Sequence, residues 1–82
     1  MTSDEIKQTL VQRLKSIAPD TEPEKLQPSD NIAQKLGIDS FDYLQFIVAL
    51  DEKFGIQTPE EDYGKIQTMH DLIEYIQAKT KK

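Results

Sequence analysis

Few residues in this chain can begin a chemical step. One aliphatic hydroxyl, that of Ser40, stands in the run Leu36-Gly37-Ile38-Asp39-Ser40-Phe41-Asp42-Tyr43-Leu44, directly after an acid and at the entrance to the most apolar stretch of the sequence. A serine placed there has two uses. It can cap a helix, because Ser and Asp are both favoured N-caps before an apolar run. Alternatively, its oxygen can be offered to an outside enzyme that activates it. Activation from within the chain lacks its parts. His70 is the only histidine; beside Asp71 it reads as a surface or capping residue, with no nucleophile indicated for it to serve. With no cysteine, a thiol nucleophile, a disulfide scaffold and a Cys-ligated zinc site are excluded. Glu60-Glu61-Asp62 is the remaining cluster, but it lacks the Asp-x-Asp-x-Asp-Gly pattern of a calcium loop. No catalytic set and no metal site are expected.

The position of Ser40 depends on the helices around it. Thr2, Ser3 and Asp4 are candidate caps, and Asp4 with Glu5 suits the positive end of a helix dipole. Ile6, Leu10, Leu14 and Ile17, with Val11 beside them, then recur at helical spacing. This predicts an amphipathic helix over roughly residues 4–17, stopped by Pro19. Residues 40–54 form the central helix, with Asp39 or Ser40 as its cap. Its apolar residues cover more than one face, as in the central helix of a bundle or one that keeps a surface for a partner. Phe46, Leu50 and Phe54 are expected in the core, and Gly55 as the left-handed stop. Thr58-Pro59-Glu60-Glu61-Asp62 reads as a cap, a first-turn proline and first-turn acids, opening a short helix that Gly64 ends. Thr68, with Asp71 three positions on, opens the last helix, whose apolar face is Met69, Leu72, Ile73 and Ile76 with Tyr75. Lys79, Lys81 and Lys82 sit near its C-terminal end, where cations are favoured.

Residues 18–39 differ. Pro19, Pro23 and Pro28 punctuate them, and Ile32 with Leu36 supports a turn of helix at most. A connection this long must pack over the core, with Leu26, Ile32, Leu36 and Ile38 as anchors, and such loops often carry function. The expected class is all-α, a four-helix bundle of three main helices and one short helix with a long first loop. A chain of 82 residues makes one domain, 1–82, with a thin core and marginal stability.

Ten Lys and Arg against fifteen Asp and Glu give a net charge of −5. Nucleic acid and anionic membrane surfaces are therefore disfavoured partners. No apolar run reaches the roughly 18 residues of a membrane span, and the acidic start is unlike a signal peptide, so a cytoplasmic monomer is expected. The charge is also uneven. Asp39, Asp42, Asp51, Glu52, Glu60, Glu61 and Asp62 face only Lys53 between positions 39 and 62. A one-sign surface of this kind steers cationic partners.

Over nearly its whole length the sequence resembles an acyl carrier protein. The likeness rests on Gly37-Ile38-Asp39-Ser40, on the spacing from Ser40 to Phe54-Gly55-Ile56, on Pro59-Glu60-Glu61-Asp62 and on Ile66 to Ile76. The resemblance implies a carrier, not an enzyme. It implies 4'-phosphopantetheine as a covalent cofactor on Ser40, with Asp39 beside it in the cofactor motif. A phosphopantetheinyl transferase would supply the base and Mg²⁺. Acyl or aminoacyl intermediates would then ride as thioesters, presented to loading and processing enzymes that carry basic docking patches. Phe41 and Val48 match the family's apolar contact positions, with Asp42, Asp51, Glu52, Glu60 and Glu61 around them. Phe46, Ile47, Leu50, Ile66 and Ile73 would line a cargo pocket, and limited core volume favours short cargo. Three positions depart from the fatty-acid carriers: Phe41 in place of Leu or Met, Gln45 in place of an acid, and Gly64 in place of another acid. They point towards specialised biosynthesis, lipid modification or aminoacyl transfer. The rival reading is an unmodified acidic helical adaptor on a basic partner, with Ser40 only a cap.

Overall fold

A computed structural model describes residues 2–80. Helix α1 spans Ser3–Ile17 and is opened by Thr2. Thr2 Oγ1 accepts the Glu5 N–H at 3.2 Å, and Glu5 Oε1 accepts the Thr2 N–H at 3.1 Å. This reciprocal capping box satisfies two orphan donors of the first turn and selects Thr2 from the three candidate caps. It also holds the Glu5 carboxyl below its usual range, chiefly through the Thr2 backbone hydrogen bond. Ile6, Leu10 and Leu14 are fully buried, as their spacing requires. Ile17 is 39% exposed, because the apolar stripe ends where the chain turns away at Ala18 and Pro19.

The first connection is more ordered than its prolines predict. It holds a 3-10 turn at Pro23–Lys25 and a second helix, α2, at Ile32–Leu36. Leu26 and Ile32 are buried, and Leu36 and Ile38 are half-buried against the core. Pro23 is a buried anchor that sequence reading treats only as punctuation. Backbone hydrogen bonds tie the connection to the far end of the chain. Ile32 N–H donates to Gln67 O at 2.9 Å, His70 N–H to Pro28 O at 3.0 Å, and Asn31 pairs with Thr68 in an isolated antiparallel bridge. These bonds satisfy backbone groups that an open loop would leave to water.

Helix α3 spans Ser40–Phe54 and helix α4 spans Met69–Thr80. Thr68 Oγ1 accepts the Asp71 N–H at 3.1 Å, as expected of a cap for α4. Between α3 and α4, Gly55 takes the left-handed conformation (φ 68°) that the helix stop requires. The short helix expected next is a 3-10 turn, Glu60–Lys65, with Pro59 at its cap position and Gly64 inside it. Thr58 does not cap it. Its N–H and hydroxyl instead donate to the two Asp51 carboxylate oxygens, at 3.0 and 2.6 Å. A full charge outcompetes the local role.

One core joins the three long helices. Phe46, Ile47 and Leu50 of α3 and Met69, Leu72 and Ile76 of α4 are all at most 2% exposed. They pack with the α1 stripe, Leu26, Ile32 and Ile66. Phe54, expected in the core, is half-buried at its edge. The expectations for Lys81 and Lys82 fall outside the described residues. No helix among the described residues is long and apolar enough to cross a membrane.

Candidate functional site

Two local devices present Ser40. Gly37 ends α2 with φ 68°, a conformation that glycine adopts without the Cβ penalty, and its N–H donates back to Ala33 and Gln34 carbonyls. The turn leaves Asp39 extended (φ −76°, ψ 169°) at the cap of α3. Asp39 Oδ1 accepts the Asp42 N–H at 2.8 Å. Sequence leaves Asp39 and Ser40 as alternative caps; the structure gives that role to Asp39. Ser40 is the first helical residue, solvent-exposed, and its hydroxyl has no hydrogen bond among the described residues. By helix geometry the N–H groups of Ser40 and Phe41 have no intrahelical carbonyl. An exposed, uncommitted hydroxyl at the positive end of a fifteen-residue helix is placed to hold an anionic ester.

Two surface clefts have Ser40 in their walls. One, of about 450 Å³, lies between α2, α3 and the Glu60–Lys65 turn, with Asn31, Gln34, Tyr43, Tyr63 and Gln67 in its walls. The other, of about 600 Å³, is bounded by Ser40, Phe41, Leu44, Glu60 and Tyr63. Tyr43 forms part of the first. Its hydroxyl donates to the Ile66 carbonyl, its ring lies 5.6 Å from that of Phe46, and burial pushes its phenol well above the usual range, with the Asp71 charge adding to this.

The outer side of α3 is mixed. Phe41 is 66% exposed and Val48 42%. Seven residues apart, they stand on one helical stripe, opposite the buried face of Phe46, Ile47 and Leu50, and Gln45 and Glu52 share that stripe. Asp39, Asp42, Glu52, Glu60 and Glu61 are exposed around it.

The family model for the phosphopantetheine attachment site matches residues 5–76. The chain belongs to the acyl carrier protein family. It is 34% identical over 73 residues to the acyl carrier protein of Thermosynechococcus vestitus, covering 85% of this chain and 90% of that one. With the acyl carrier protein of Wolinella succinogenes it shares 35% identity over 75 residues and 92% of each chain. Its fold superposes on a solution structure described as an acyl carrier protein from Anaplasma phagocytophilum, with a TM-score of 0.83, 29% identity and coverage of 98% and 93%. Superposition on the acyl carrier protein of Enterococcus faecalis gives a TM-score of 0.74 at 30% identity, covering 96% and 99%. Membership makes the chain a carrier and not an enzyme, and makes phosphopantetheine its cofactor.

The carrier's residues fit that group: the exposed Ser40 hydroxyl would supply the ester oxygen, and the opening turn of α3 would supply N–H groups without an intrahelical partner beside it. Not every acid of the run between positions 39 and 62 is free of partners within the fold. Asp51 is half-buried, with both oxygens engaged by Thr58. Asp62 accepts from the Tyr75 hydroxyl at 2.8 Å and pairs with Lys65 at 3.6 Å. Burial and that Asp62 contact raise the Tyr75 phenol, and Lys79 lies over its ring at 5.4 Å. These acids brace the α3–α4 connection. His70 is exposed, with Nε2 at 3.2 Å from Glu74 Oε1, in keeping with its surface reading. The residues expected to line a cargo pocket fall in two places. Phe46, Ile47, Leu50 and Ile66 are each 1% exposed within the packed core, and Ile73 faces a separate hollow between α1 and α4.

Asp51→Ala is accordingly expected to lower unfolding free energy by about 1–3 kcal/mol, since it leaves two part-buried Thr58 donors without their charged acceptor. Glu52→Ala, next to it but exposed, is expected to change it by less than about 0.5 kcal/mol. Urea titration of both decides the matter. Equal effects would mean that the Thr58 contacts hold nothing.

Proposed function

We propose that Ser40 is the attachment site and that this single domain, 1–82, is a monomeric cytoplasmic carrier for acyl or aminoacyl intermediates. The observation that carries the reading is the division of labour at the start of α3. Asp39 takes the cap, and the Ser40 hydroxyl is exposed with no hydrogen bond among the described residues. In the loading step Ser40 Oγ attacks a phosphorus of the coenzyme A pyrophosphate. An Oγ–P bond forms and the P–O bond to adenosine 3',5'-bisphosphate breaks, while the serine proton passes to the transferase's base. Once attached, the arm supplies a terminal thiol that holds cargo as a thioester. The chain's own part is to keep the hydroxyl at the surface, place the resulting phosphodiester at the positive end of α3, and offer the Phe41, Val48 and Glu52 stripe for docking.

Exposed Asp42, Glu52, Glu60 and Glu61 suit partner enzymes with basic patches. They speed encounter at low salt more than they tighten the complex. Phe41, Gln45 and Gly64 favour specialised biosynthesis over bulk fatty-acid synthesis. The test is intact-protein mass before and after incubation with coenzyme A, Mg²⁺ and a broad-specificity phosphopantetheinyl transferase. Addition of one phosphopantetheine is the expected result. No addition, where a control carrier is modified, would leave an acidic adaptor as the better reading.

A further inference from the structure

Beside Ser40 two clefts open, one between α2, α3 and the Glu60–Lys65 turn and one between α3 and that turn, and the buried core lies behind the wall that Tyr43 makes in the first. A long hydrocarbon on the arm gains most by leaving water, so an open passage here would draw it inward. The passage is barred. Tyr43 projects from α3 across the gap and donates its hydroxyl to the carbonyl of Ile66, the residue that follows the turn. Phe46 packs its ring against Tyr43 from below, at 5.6 Å between centroids and a 48° tilt. Behind them Ile47, Leu50 and Ile66 are closed off from solvent. Entry would require breaking the Tyr43–Ile66 bond, stranding a buried hydroxyl and carbonyl, and displacing Phe46 from a close-packed core. Outside the bar the cleft is mixed in character, with the carboxamides of Asn31, Gln34 and Gln67 beside Leu44 and Tyr63. Such walls suit a compact acyl or aminoacyl group with polar atoms better than a hydrocarbon chain.

We propose that Tyr43 is a specificity-determining residue that shuts the interior, so that the carrier takes compact cargo held in the cleft beside Ser40 and leaves a long acyl chain outside. This rests on attachment at Ser40. The experiment loads isotopically labelled carrier, through the transferase, from acetyl, butyryl and dodecanoyl coenzyme A. It follows intact mass and the methyl resonances of Ile47, Leu50 and Ile66. In wild type those resonances are expected to stay in place from acetyl to dodecanoyl. Chain-dependent shifts there would show that the core admits the long chain and overturn the gate. In Tyr43→Leu, which shortens the bar, dodecanoyl is expected to shift them, and Tyr43→Phe, which keeps the ring and removes only the hydroxyl, serves if the first variant does not fold. Core resonances indifferent to chain length in Tyr43→Leu, or in Tyr43→Phe where Tyr43→Leu does not fold, would overturn the role of Tyr43. If no coenzyme A thioester adds mass, attachment fails and the gate falls with it. Mass gain with shifted wild-type core resonances removes the gate alone.

Discussion

Ser40→Ala is expected to remove every trace of loading while unfolding at the same urea concentration as the parent chain. No other serine or threonine stands between Gly37 and Phe54, so the loss is expected to be total. Stability is spared because the serine hydroxyl holds nothing: the cap is Asp39, whose Oδ1 accepts the Asp42 N–H. Asp39→Ala is expected to behave in the opposite sense on stability. Loss of the cap removes about 0.5–2 kcal/mol, and loss of a carboxylate at the positive helix end adds to this at low salt. Mass spectrometry after transferase treatment and urea titration of both variants separate the two roles. If Ser40→Ala were as destabilised as Asp39→Ala, the serine would be a structural cap and the assignment of the two residues would be reversed.

Phe46→Ala is expected to bring the fold close to collapse. Phe46 is 1% exposed, at the centre of the α3 face that meets the other helices, and its ring supports Tyr43. Truncating a buried Phe costs about 3–5 kcal/mol, because transfer energy is lost and a cavity remains. Domains hold about 0.05–0.15 kcal/mol per residue, so this one has about 4–12 kcal/mol in all. The urea midpoint should fall steeply with an unchanged slope while the transition remains two-state. Phe41→Ala supplies the contrast. That side chain is 66% exposed, so the fold should hardly notice its loss, and transfer to partner enzymes is where a deficit is expected. Comparable destabilisation by the two substitutions would contradict the division of α3 into an inner and an outer face.

Local signals made much of this legible. The Ile6, Leu10 and Leu14 stripe, the Gly55 stop and the Thr68 cap act within one or two helical turns, so residue order alone suffices. The same holds for the resemblance around Gly37-Ile38-Asp39-Ser40, which pointed to the family that the comparisons show. The choice between Asp39 and Ser40 as cap was not legible, since both residue types satisfy the same donors and only the backbone angles decide.

What the amino-acid order determined by itself was the helices, their stops, the acidic bias and a serine held at a helix entrance. Tertiary structure alone decided which of these residues are free to act. Asp51 is tied to Thr58, seven residues away, and Tyr75 reaches Asp62 across thirteen. Tyr43 closes on Ile66 across twenty-three, and Asn31 meets Gln67 across thirty-six. Periodicity and capping operate over three or four residues and are blind to such distances. Asp51 and Asp62, two of the seven acids between positions 39 and 62, hold partners within the fold, and a tyrosine that looks like one more apolar residue of α3 bars the way to the core.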